Sequence, residues 1–248
     1  MTKIERFEIF DRALFWKEKK ILIVGDMHLG YEEYLNERGW SFPRTQLETS
    51  LEIFENIFRE TGKVKKIIFL GDMKHYFAGV LKQEFREFYS VVEMCRKNLE
   101  KNGEIVIIKG NHDNILEPIL ARENFDFIRL VDSIIVGDVL FIHGAKKDFV
   151  KLEIFDSKIK LVVIGHFHPA IAIERDTKKE KYKCFLFGKS KELKKNMIIV
   201  PSFFPLVEGT DILHRSLLED RIDISRFKVF ILSGEETLDF GQINKLKR

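Results

Sequence analysis

Short runs of apolar, largely β-branched residues recur along the chain: Ile21 to Val24, Ile67 to Leu70, Ile105 to Ile108, Val139 to Ile142 and Leu161 to Ile164. Runs this short, unbroken by polar positions and bounded by glycine, predict strands covered on both faces. Helical spacing fills the gaps between the first three. Leu47, Leu51, Phe54 and Phe58 fall on one helical face, with Thr45 and Glu48 placed for a capping box. Phe85, Phe88, Val92, Cys95 and Leu99 repeat the pattern and make Cys95 a core residue. Strand alternating with helix implies parallel pairing through crossover helices. Past the third run the pattern changes: SIIVGDVLFIHG sets two apolar runs around Gly137-Asp138, a hairpin signal that announces a more antiparallel sheet. The expected architecture is α/β, with two mixed β-sheets packed as a sandwich and helices on the outer faces. No linker or repeat divides the chain, so one domain over residues 1–248 is expected.

Composition narrows the function classes. With 42 basic and 39 acidic side chains the formal charge is +3, too small to mark a nucleic-acid binder by itself. Lysines do crowd one segment, residues 177–196, which holds eight of them against two glutamates and reads as a solvated loop or hairpin. Cys95 and Cys184 form no Cys-x-x-Cys pair, which argues against a thiolate metal site and suits a cytoplasmic setting. No stretch approaches the ~18 uncharged apolar residues of a membrane helix, so no membrane partner is expected.

The chemistry lies where the apolar runs stop. They end in GDMH, GDMKH, GNHD, HG and GHFH, and in open α/β sheets such carboxyl ends converge on the ligand site. The set so gathered is Asp26, His28, Asp72, Asn111, His112, His143, His166 and His168, with five of the seven histidines in the chain. Carboxylate, imidazole and amide oxygen without thiolate suit a borderline divalent ion such as Mn, Fe, Co, Ni or Zn. These are too many donors for one open site; two ions sharing a carboxylate would use them, the arrangement of phosphoryl-transfer chemistry.

The order D-x-H, GD, GNHD, H, G-H-x-H over about residues 21–169 resembles the calcineurin-like metallophosphoesterase superfamily. The resemblance implies that Asp26, His28 and His168 hold one metal, that Asn111, His143 and His166 hold the other, and that Asp72 bridges them. It further implies that His112 acts on the phosphoryl group or leaving oxygen without binding metal, oriented by Asp113. GDMKH resembles the GDLFH of SbcD-type repair nucleases, which gives His75 a substrate-facing role, and DMHLGYEEYLNERGWSFPRTQ is similar to the ICC-like, SbcD-related phosphoesterases of archaea. The activity implied is a phosphodiesterase that uses two divalent ions, Mn foremost, and attack of a metal-bound hydroxide on nucleotides or nucleic-acid ends. Single-stranded nucleic acid and DNA-repair proteins are the partners this branch implies. A phosphomonoesterase is the alternative, and a metal-stabilised scaffold without turnover the other; the full ligand set and the GNHD histidine speak against the latter.

Overall fold

The computed structural model describes residues 2–77, 79, 81–122, 125–150, 152–175, 178–213, 222–234 and 236–246. Its first sheet follows chain order: β1 (Lys3–Ile4), β2 (Phe7–Phe10), β3 (Ala13–Trp16), β4 (Ile21–Val24), β5 (Val64–Phe69), β6 (Leu99–Ile108) and β7 (Ile128–Val131). Strands β1 to β4 pair antiparallel; β4 to β7 pair parallel. The crossovers carry α1 (Tyr31–Glu37), α2 (Gln46–Thr61), α3 (Lys82–Lys97) and α4 (Leu116–Arg122). Leu99 falls beyond α3, as the first residue of β6, rather than in the helix.

The predicted hairpin is present: β8 (Ile134–Val136) turns at Gly137, φ +65°, into β9 (Val139–Ile142). The second sheet continues with β10 (Leu161–Ile164), β11 (Pro169–Arg175), β12 (Lys178–Lys189), β13 (Asn196–Ile199), β14 (Thr210–Asp211), β15 (Lys228–Ser233) and β16 (Glu236–Gln242), ahead of the short α5 (Ile243–Leu246). Its centre is parallel, with β10 between β9 and β13, and antiparallel pairs flank it. The sheet is therefore more mixed than the hairpin alone suggests.

Period-two alternation explains the unbroken apolar runs. In β4 and β5, Leu22, Val24, Ile67 and Phe69 point to α2 and α3, while Ile23 and Ile68 point into the seam between the sheets. Phe141, Leu161, Val163, Phe185 and Ile198 meet them from the second sheet. The opposite faces of those strands, through Ile142, Val162, Cys184 and Leu186, pack under a third cluster that includes Phe149, Ile154 and Ile243. Both cysteines are buried and unpaired. No described helix is long and apolar enough to cross a membrane.

Two local expectations are corrected. Thr45 precedes α2 in a helical conformation and makes no capping bond; Glu32 Oε1, buried on α1, accepts the N–H groups of Thr45 and Gln46 at 2.6 and 2.8 Å. A buried carboxylate from a neighbouring helix thus replaces the capping box. The lysine-rich segment does form a hairpin but not a freely solvated one: apart from residues 176 and 177 and the side chain of Lys178, which lie outside the described set, it is β12, paired antiparallel with β11, and the turn to β13. Lys183 Nζ is buried against Ser202 Oγ at 2.6 Å, and Lys195 Nζ against the carbonyls of Asp156 and Ile159. Lys179 and Lys191 pair with Glu174 and Asp223. These four of its eight lysines are engaged within the fold, which leaves a smaller free charge for holding polyanions beside the site.

Candidate metal centre

Strands from both sheets deliver their polar ends to one place. Asp26 follows β4, Asp72 follows β5 and Asn111 follows β6; His143, His166 and His168 follow β9 and β10. Close approach requires glycine: a Cβ on Gly110 would stand 2.1 Å from Asp72 Oδ1, and one on Gly71, at φ +111°, 2.5 Å from His143 Nδ1. Four of the polar residues themselves hold left-handed backbone: His28, Asp72, His166 and His168, at φ +46°, +48°, +65° and +45°. Such torsions cost roughly 1–3 kcal/mol each in non-glycine residues and cluster at functional sites.

The side chains form two overlapping donor sets. In the first, His168 Nε2 lies 3.4 Å from Asp26 Oδ1 and 3.3 Å from His28 Nε2. In the second, His143 Nε2 lies 3.0 Å from His166 Nδ1, whose ring nitrogen is 3.5 Å from the Asn111 amide. Asp72 Oδ2 stands between them, 3.9 Å from His28 Nε2 and 3.5 Å from His143 Nε2. Donor atoms about 2.0–2.2 Å from a tetrahedral ion are separated by roughly 3.4 Å, so this spacing fits divalent metals held by N and O ligands. All seven residues expected as ligands are brought together, and the donor chemistry fits two ions.

Hydrogen bonds set the tautomers and orientations. His143 Nδ1 donates to the Leu70 carbonyl at 2.8 Å, which leaves Nε2 as the donor toward a metal. The Asp26 carboxylate accepts the His166 N–H at 2.9 Å, and Asp72 Oδ1 accepts that of His112 at 2.9 Å. Burial, reinforced by neighbouring imidazoles, holds His28 and His166 below the usual histidine range, so both are neutral and ready to ligate. His143 moves the other way: burial opposes its charge, but Asp26 and Asp72 outweigh it. Burial also works against the Asp26 anion, yet His168, His143 and His28 keep its carboxyl below the ordinary range.

His75 and His112 stack at the opening, ring centroids 5.3 Å apart, and with His28 they form a third convergent group of ring nitrogens. Burial and the neighbouring His112 bring His75 down to about 4. The orientation of His112 corrects the sequence expectation. Asp113 does not hold its imidazole: the buried Asp113 carboxylate accepts backbone N–H groups of Met73 and Gly110 at 3.0 and 2.9 Å, and burial followed by Asp72 raises it to about 6. His112 Nδ1 bonds instead to the carbonyl of His75, leaving Nε2 toward the opening.

Sequence reading also missed a supporting layer. Gln46 Nε2 donates to the Met27 and His28 carbonyls at 3.0 and 2.9 Å, and Glu87 Oε2 accepts the Gly30 N–H at 2.7 Å, fixing the loop that carries His28. These residues sit on helices remote in sequence, and only their polarity at buried helical positions signals them.

The model of the calcineurin-like phosphoesterase family matches residues 19–193. The chain belongs to that family, a class of metal-dependent phosphoesterases. Over 100 residues it is 22% identical to the lysine–tRNA ligase of Mycoplasmopsis synoviae (strain 53), a match spanning 40% of this chain and one-fifth, 20%, of the ligase. Among solved structures, a novel archaeal phosphodiesterase is similar at 17% identity and TM-score 0.42, covering 89% of this chain and 98% of that one. Zinc-complexed wild-type Vps29 of Entamoeba histolytica is similar at 15% identity and TM-score 0.34, covering 89% and 99%.

Proposed function

We propose that the protein is a dinuclear phosphodiesterase, with Asp26, His28 and His168 holding one divalent ion, Asn111, His143 and His166 the other, and Asp72 both. The observation that carries this reading is the position of Asp72 Oδ2, within 4 Å of a ring nitrogen from each donor set. Bound there, two ions would supply Lewis acidity to the phosphoryl oxygens and lower the pKa of water. The chain's own groups supply the rest. His112, free at Nε2 and held through Nδ1, is placed to give a proton to the leaving ester oxygen. His75, kept neutral by burial, faces the same opening and offers a hydrogen bond to the phosphate. Manganese is the ion we assign, on the mixed carboxylate, imidazole and amide donors.

Nucleotides or nucleic-acid ends are the substrates we infer, and the buried, unpaired cysteines support a cytoplasmic setting. DNA-repair partners rest on the sequence resemblance alone. The test compares bis(p-nitrophenyl) phosphate with the corresponding monoester in manganese-loaded protein, for the native chain and Asp72→Asn. Diester preference, lost in Asp72→Asn together with at least one equivalent of metal, is expected. A monoester preference turns the reading to a phosphomonoesterase, and an active Asp72→Asn protein with full metal content removes the shared-carboxylate site.

A further inference from the structure

The opening above the donor sets is lined on one side by rings and a cation that the proposed hydrolysis leaves without a task. Asp26 and His143 are wholly enclosed, so substrate can approach only from the side of His75, His112, His166 and His168, which are part-exposed. Along that side Tyr34 meets His75 edge-on at 4.7 Å, and Phe77 meets His112 at 5.6 Å. Phe77 is 56% exposed.

The segment presenting Phe77 is pinned from both directions. Lys74, itself buried, donates through Nζ to the carbonyls of Tyr76 and Gly79. The Glu84 carboxylate accepts the N–H groups of His75, Tyr76 and Leu81 at 2.8, 2.7 and 3.2 Å. These five bonds hold the described backbone on either side of Phe77, whose ring stands exposed beside His112. Beyond Tyr34 the guanidinium of Arg38 lies 4.5 Å over the phenol ring, and it makes no ion pair among the described residues. A π-face and an unpaired cation, on the accessible side of a phosphoryl site, match a flat base and its next phosphate.

We propose that Phe77 and Arg38 form a nucleoside subsite: a base of the substrate's non-leaving arm stacks on Phe77 beside His112, and the adjoining internucleotide phosphate pairs with Arg38, which the Tyr34 ring supports near His75. The proposal rests on the phosphodiesterase reading and narrows it to diesters with a nucleoside arm; an alkyl arm could use neither the ring nor, lacking a second phosphate, the arginine.

The experiment uses two esters with the same leaving group, thymidine 5′-monophosphate p-nitrophenyl ester and methyl p-nitrophenyl phosphate, with manganese-loaded full chain. Stacking by one base corresponds to about tenfold or more in kcat/KM, so the native ratio of thymidine to methyl ester should reach at least that. Phe77→Ala should bring the ratio toward one, chiefly through KM, and Phe77→Trp should restore it. The ratio is internal to each preparation, so partial misfolding of a variant does not mimic the effect. Extending the substrate by one 3′-linked nucleotide should add affinity in the native chain and none in Arg38→Gln. A native ratio near one, or a ratio unchanged in Phe77→Ala, overturns the subsite while the phosphodiesterase stands. Failure to cleave either diester overturns both.

Discussion

His112 is the residue where position and role can be separated. Its backbone N–H binds Asp72 Oδ1, its Nδ1 binds the His75 carbonyl, and its side chain belongs to neither donor set described above. His112→Ala should therefore retain metal, measured by elemental analysis, while turnover falls on the order of 10² to 10⁴. The loss should be smaller for a p-nitrophenyl than for an alkyl leaving group, which needs the proton more. Metal lost along with activity would contradict the role. That the seven candidate donors converge was legible in the sequence, because strand ends in an α/β sheet meet wherever the intervening chain goes. The orientation of His112 was not, because adjacency of Asp113 in sequence says nothing about which carboxylate a folded loop leaves free.

At the scale of elements, helix α2 and strand β12 show what patterning conceals. The apolar stripe of α2 is visible, but its cap comes from Glu32 across a loop, and local spacing cannot see a partner on another helix. In β12 the lysines on the outer stretch mask a central strand, since an averaged composition counts Lys183 as solvated when it lies buried and bonded to Ser202. The N-terminal strands β1 to β3 escaped for another reason: Lys3 and Glu8 interrupt the first two, and Ala13–Trp16 has neither a β-branched residue nor a bounding glycine. Lys183 gives a test. Burial, with Arg12 nearby, holds its ammonium well below the ordinary lysine value, so the folded state binds fewer protons than the unfolded chain. Stability should rise with pH from that depressed value up to about 10.5, the pKa of the unfolded side chain. Lys183→Met should flatten this part of the profile in urea titrations at stepped pH; an unchanged slope would mean the ammonium stays charged in the fold.

For the whole molecule, the donor sets are also a fastening. Asp26, His28, Asp72 and Asn111 come from loops of the first sheet, His143, His166 and His168 from the second, so each ion would be held by both halves of the sandwich. Metal at a hundredfold its dissociation constant adds about 2.7 kcal/mol per site to folding stability. Chelation should lower Tm by several degrees, reversibly and in proportion to the logarithm of free manganese, as read by scanning calorimetry; a Tm indifferent to metal would show that the seam alone sets stability.

The left-handed torsions at His28, Asp72, His166 and His168 carry this further. Glycine would occupy each of them more cheaply, by roughly 1–2 kcal/mol per position, so the chain folds against local resistance at four of the points proposed to hold its ions. Without metal, those loops are sprung: their amide hydrogens should exchange faster than in the metal-loaded protein, and binding should slow them more than it slows any strand. The cage is thus shaped by the strands beneath it and tensioned until it is filled.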